Sequence, residues 1–278
     1  MIQLIRPALS INAAQSLEQY QTAVDNQPDF PTKVNFAKDD FPKKNIIGNA
    51  TFNDVKLKLI QMSSGAERCH YCEDSKADEV DHLLPKDAYP NHSYSWNNYY
   101  YACGTCNGPK NNKCAVIDAT TNTLVDTTPP RKSKNGPPLP PPQPPLAGIS
   151  AFVDPVNENP LDYFFLDLNT GTFVFSELPA NNTSEYQKAK YTLEVFRLNT
   201  RPSLSKARGS AYVNFKARLR IYIIDRDSGV VTQHQLNEII RGIKEEAHQT
   251  VWQEMKRQKD FIPELHDLFH QAPEALNW

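Results

Sequence analysis

Apolar positions sort this chain into helical stripes, a few alternating or continuous runs, and stretches with no period. Phe52, Val55, Leu59 and Met62 recur every three to four residues and predict a helix with Thr51 as N-cap and Gly65 as its stop. The same spacing predicts helices over Tyr186–Leu198, from Leu204 to about Ile224, and over Thr232–Lys259. Ala207, Ala211, Phe215 and Leu219 stripe the second of these; Leu236, Ile243, Val251 and Met255 stripe the third. Pro263 opens a last short helix through Phe269. Two apolar runs, Tyr163–Leu166 and Thr172–Phe175, flank the turn residues Asn169, Thr170 and Gly171 and predict a hairpin. Glu79–Pro85 alternates like a short strand. Ahead of residue 50 only Ser16–Val24 predicts a helix. Asn26–Lys44 is polar and interrupted by Pro28, Pro31 and Pro42, which predicts extended, surface-wrapping chain.

These patterns divide the chain into four. Residues 1–66 form an extended segment and a lead-in helix, residues 67–118 a cysteine-bearing core, residues 119–150 a proline-rich linker, and residues 151–278 a hairpin with a helical region. The linker holds nine of the 22 prolines, which enforce a polyproline-like spacer rather than packed structure.

Composition narrows the class. With 278 residues, 39% hydrophobic and 22% charged, the chain is expected to be globular with a real core. It contains no run of about 18 apolar residues, so no membrane helix is expected. Its first residues lack a basic region followed by an apolar core, which predicts no signal peptide and a cytoplasmic location. A net charge of −2 gives no global attraction to polyanions, so any nucleic-acid contact must be a local patch. One such patch lies between Arg197 and Arg226, where eight Arg or Lys residues face a single acid, Asp225. It reads equally as a solvated or protein-facing surface and as a phosphate-contacting one through Arg208, Lys216, Arg218 and Arg220.

The chemistry concentrates in Cys69–Lys113. Two Cys-x-x-Cys pairs, Cys69/Cys72 and Cys103/Cys106, can each present two thiolates to one tetrahedral zinc. Four thiolates leave that ion no open position, so its role is structural. Cys114 is spare and reads as a small buried hydrophobe. Between and after the pairs stand Asp81-His82, Trp96-Asn97-Asn98 and Asn107-x-x-Lys110, an ordered set far more specific than any one member. The segment from Asn107 to Asn112, with Gly108 and Pro109, is a poor helix former, so any helix there should be short, with Pro109 fitting only a first turn.

This ordered set resembles the HNH endonuclease family and its ββα-metal motif. The resemblance implies an α+β fold, mainly helical, with a small zinc-stapled ββα-metal core. It implies Asp81 and Asn107 as ligands of a catalytic Mg²⁺ or Mn²⁺, His82 as general base, and Asn98 as the asparagine that ties the loop. Asp81 and Asn107 offer hard oxygen donors suited to such a cation. Lys86 and Lys110 are candidate phosphate contacts. A narrower resemblance covers Cys-x-Tyr-Cys-Glu, Asp-His-x-x-Pro-Lys-x-x-Tyr-Pro and Ser-Trp-x-Asn, and downstream Leu198-Asn199-x-Arg201-Pro202-x-Leu204 with Arg208. These strings are similar to the HNH subunits of Septu-type and retron-associated anti-phage systems. That group implies a DNA substrate, expected double-stranded, and an ABC-type ATPase partner. The chain has no Gly-x-x-x-x-Gly-Lys-Ser/Thr loop, so an ATP site would lie on another subunit. The runner-up readings are a homing, restriction or repair nuclease acting alone, and a zinc module that only binds nucleic acid or a partner.

Overall fold

In the computed structural model, which describes residues 1–131, 139 and 141–278, the chain ahead of residue 50 is helical rather than extended. Helix α1 spans Ile11–Asp25 and α2 spans Phe30–Lys44. The prolines that argued for extended chain sit where a helix tolerates them. Pro31 lies in the first turn of α2, where its missing N–H has no intrahelical partner, and Pro42 lies in the last. Asp29 caps α2, its carboxylate accepting from the Thr32 N–H at 2.9 Å. Val34, Ala37 and Phe41 form the buried stripe.

Helix α3, Ala50–Gln61, buries Phe52, Val55 and Leu59 as the spacing predicts. Its cap is Asn49 rather than Thr51, with Asn49 Oδ1 accepting from the Thr51 and Phe52 amides at 3.0 and 3.3 Å. Gly65 does not end this helix. It takes φ +69° beyond it, where an added Cβ would overlap the Glu245 carbonyl.

A hairpin follows. Strand β1 (Glu79–His82) pairs antiparallel with β2 (Tyr99–Ala102), Asp81 opposite Tyr100 and His82 opposite Tyr99. Helix α4, Gly104–Lys110, completes a strand–strand–helix unit. It is short, as the residues predict, but Pro109 lies near its end rather than in its first turn. There it cannot donate to the Thr105 carbonyl, and the helix ends one residue later at Lys110, before Asn111 with φ 48°.

Strand β3 (Ala115–Ile117) then pairs with both β4 (Leu124–Asp126) and β5 (Ile149–Ser150), so a three-stranded sheet closes the ends of the proline-rich stretch. The spacer expected there falls partly on residues 132–138 and 140, outside the described residues. The second hairpin, β6 (Phe164–Leu166) with β7 (Phe175–Glu177), lies two residues from its expected register at the second strand.

Helices α5 (Ser184–Val195) and α6 (Pro202–Ser228) occupy the expected stretches. The long helix expected over Thr232–Lys259 is two, α7 (Gln233–Lys244) and α8 (Gln249–Arg257), and α9 spans Pro263–Gln271. The break turns at His248, φ 57°. Beyond it the Thr250 amide, in the first turn of α8, donates to the buried Glu73 carboxylate at 2.9 Å. Buried apolar residues from the N-terminal helices, the first hairpin and the C-terminal helices form one continuous core. No helix among the described residues is long and apolar enough to cross a membrane.

Candidate functional site

The four paired cysteines converge first. Cys69 and Cys72 lie in the turn before β1, while Cys103 and Cys106 lie at the start of α4, and folding the hairpin brings the two pairs together. All four sulfurs are buried and lie within 4.8 Å of one another. The Cys72–Cys103 Sγ–Sγ distance of 3.8 Å equals the edge, about 3.8 Å, of a tetrahedron with Zn–S bonds of about 2.3 Å. The donor set therefore fits a structural metal ion. Arg201 supports it from outside, its Nη2 donating to Cys106 Sγ at 3.3 Å and its Nη1 to Thr105 Oγ1 at 3.2 Å. The Arg201 side chain thus places a positive charge against a cluster that carries excess negative charge when metallated.

Between β1, the loop after it and α4 opens a cleft of about 350 Å³. Glu79, Asp81 and His82 reach it from β1, Lys86 from the loop, Asn107 from α4 and Phe41 from α2. Asp81 is buried, and both oxygens are held: Oδ1 accepts from Lys110 Nζ at 3.0 Å, and Oδ2 from the Tyr71 hydroxyl at 2.6 Å. Asn107 donates through Nδ2 to Glu79 Oε2 at 2.5 Å, which leaves its amide oxygen without a partner among the described residues.

His82 is buried between Phe41 and Tyr99, with ring centroids 4.5 and 5.2 Å away. Its Nε2 lies 2.8 Å from the Ser93 carbonyl. A carbonyl only accepts, so Nε2 carries the proton and Nδ1 is the free acceptor. Burial, with the Lys86 ammonium as the next cause, pushes the imidazole down to about pKa 3. His82 is therefore neutral at neutral pH. His70 makes the contrast: it is equally pushed down to about 3 by burial, but Nε2 meets the Leu59 carbonyl and Nδ1 accepts from the Tyr101 amide. With both nitrogens engaged, His70 is structural.

Asn98 ties the loop between the strands. Its Oδ1 accepts from the Leu84 amide at 2.8 Å, and its Nδ2 donates to the Leu84 and His92 carbonyls at 2.9 and 3.0 Å. It lies outside the cleft lining, so its contribution is to the shape of the loop that presents Ser93.

The expected phosphate contacts need correction. Lys110 is fully buried, donating to Asp81 and to the His82 carbonyl, and cannot meet a phosphate from there. Arg208 is also buried, on the Phe173 and Leu198 carbonyls at 3.0 and 2.9 Å. Lys216 and Arg220 both pair with Glu264 of α9, and Arg218 pairs with Glu246 at 3.4 Å. Helix α9 and the connection between α7 and α8 supply these acids, which a single-helix charge count does not see. Of the six, Lys86 lines the cleft; burial holds its pKa below the ordinary lysine value, and its ammonium lies over the Phe41 ring. The sequence reading gave no role to Tyr71, Glu79, Phe41 or Ser93. For Tyr71 a signal existed, its place inside Cys-x-Tyr-Cys.

Residues 69–113 match the HNH endonuclease family. The strand–strand–helix unit lies within those residues, as does the cleft lining apart from Phe41. Over 78 residues the chain is 41% identical to the Septu protein PtuB of Bacillus thuringiensis, a stretch that is 26% of this chain. The matched stretch spans about 30% of the length of that relative. No solved structure matches.

Proposed function

We propose that this chain is a metal-dependent HNH endonuclease that hydrolyses DNA phosphodiester bonds, the nuclease subunit of an anti-phage complex with an ABC-type ATPase. The observation that carries the reading is His82: a neutral imidazole with its tautomer fixed by Ser93, sharing a cleft with the oxygen donors Asp81 and Asn107. In this reading the four cysteines hold a structural Zn²⁺ that keeps hairpin and helix in register. Asp81 and the amide oxygen of Asn107 would hold the catalytic Mg²⁺ or Mn²⁺, and Glu79 stands beside them as a further carboxylate. Two carboxylates and an amide oxygen on one cleft are the hard donors such ions prefer. A divalent cation bound there supplies charge neutralisation at the phosphoryl group and the leaving oxygen.

The chain's own residues do the rest. His82 Nδ1 accepts the proton of the attacking water, and the Ser93 carbonyl, accepting from Nε2–H, steadies the imidazolium that forms. Asn98 fixes the loop that carries Ser93. Phe41 and Tyr99 keep bulk water from the ring, and Lys86 meets a neighbouring phosphate. The Septu similarity and the absence of a phosphate-binding loop in this sequence support a separate ATPase.

The test is cleavage of double-stranded DNA with Mg²⁺ or Mn²⁺ against EDTA, by the chain alone and co-expressed with any ABC-type ATPase that a neighbouring gene encodes. Cation-dependent cleavage lost in Asp81→Asn is expected. DNA left intact under every condition, or cut equally in EDTA, overturns the proposal.

A further inference from the structure

Tyr71 joins the two sites. Its backbone lies between two cysteines of the cluster, Cys69 and Cys72, and its hydroxyl reaches across to Asp81 Oδ2 at 2.6 Å. The ring does not move freely. It stacks nearly flat on Phe196 at the end of α5, centroids 3.9 Å apart at 21°, and packs on Tyr100 of β2 at 5.9 Å. Tyr71 has no exposed surface. In that contact the hydroxyl donates and the carboxylate accepts.

The geometry around Asp81 explains what this donor does. A strand-end aspartate has rotamers to choose from, and only some leave a lone pair directed at the cleft. Lys110 fixes one oxygen and Tyr71 the other, so the carboxylate plane is set by two buried partners from different elements. Lys110 comes from the last position of α4, the helix that begins at Cys103, and Tyr71 from the cysteine turn itself. Both partners therefore stand on elements that carry the cluster's cysteines.

We infer that Tyr71 is a positioning residue that couples the four-cysteine cluster to the catalytic cation site by orienting Asp81. The inference rests on the reading of Asp81 as a ligand of that cation. Hydrogen-bond partners of metal ligands typically contribute 10–100-fold to metal affinity. Removing the hydroxyl while keeping the ring should therefore weaken the cation site without releasing the cluster metal.

The experiment is direct Mn²⁺ binding, by electron paramagnetic resonance and calorimetry, to the zinc-loaded full chain and its variants. Tyr71→Phe is expected to bind Mn²⁺ at least about tenfold more weakly at unchanged zinc content. Replacing Tyr71 with p-aminophenylalanine, which restores a donor at the same place, is expected to recover most of that loss; a purely space-filling role would not respond. Asp81→Ala separates the two ideas. If Asp81→Ala loses Mn²⁺ while Tyr71→Phe binds like wild type, the role of Tyr71 falls and the cation site stands. If Asp81→Ala binds Mn²⁺ like wild type, both fall. Should Tyr71→Phe lose zinc, the p-amino variant decides: weak Mn²⁺ binding at full zinc content overturns the proposal.

Discussion

The strand–strand–helix unit carries two donor sites of opposite design. At one, four soft sulfurs lie within 4.8 Å of one another, all buried. At the other, hard oxygens and a neutral histidine line a cleft of about 350 Å³. A closed set can only hold; an open set can react. One short stretch does both, because α4 contributes residues to each site. Cys103 and Cys106 share α4 with Asn107, and Lys110 at its end reaches Asp81 from within.

The most severe way to break this contrast is to open the closed side. Structural zinc contributes free energy on the order of 10 kcal/mol, comparable to the whole stability of a domain. Cys103→Ser is therefore expected to unfold the core, read as loss of bound zinc together with the cooperative thermal transition. Cutting the internal link is milder. Lys110→Ala leaves Asp81 buried without its cation and should cost about 3–5 kcal/mol in urea denaturation. A cost near zero would mean that Lys110 is solvated in solution.

Protons sharpen the comparison further. His70 and His82 are both held near pKa 3 by burial, whereas the unfolded chain takes up their protons near pH 6.5. The folded-state values are depressed, so neutral histidine contributes fully above about pH 6.5, and stability falls as pH drops toward 3. The slope is at most about 1.4 kcal/mol per pH unit for each histidine. Denaturation at pH 7.5, 6 and 5 should show this decline, shallower in His82→Ala; a flat profile would contradict the neutral, buried state. Smallest is the effect at the cleft rim. Lys86→Gln should weaken DNA binding and lower the slope of log affinity against log salt by about one. Arg208→Gln should leave that slope unchanged and cost stability instead.

The site was more legible than the fold around it. Cysteine spacing and the Asp81-His82 pair are local signals, and the hairpin makes good on their proximity. Helix α3 was legible because Phe52, Val55 and Leu59 face one core. Helix α2 was not: proline counts argued against it, while the tolerance of a first-turn Pro31 and the Asp29 cap favoured it. The break between α7 and α8 was hidden for another reason. The apolar stripe runs through it, and the partner that takes up the Thr250 amide at the restart is Glu73, far away in sequence. Charges failed likewise. Lys110 and Arg208 looked like phosphate contacts because nothing local reveals that Asp81 and two carbonyls lie above them.

We propose that the cysteine cluster holds the fold and that the cleft cuts. The most direct measurement is cation-dependent nicking of supercoiled DNA by His82→Ala, made beside its zinc content and melting temperature. The account predicts wild-type zinc, a retained folding transition, and a cleavage rate lower by at least about 100-fold. Undiminished cleavage by His82→Ala at full zinc content would contradict it.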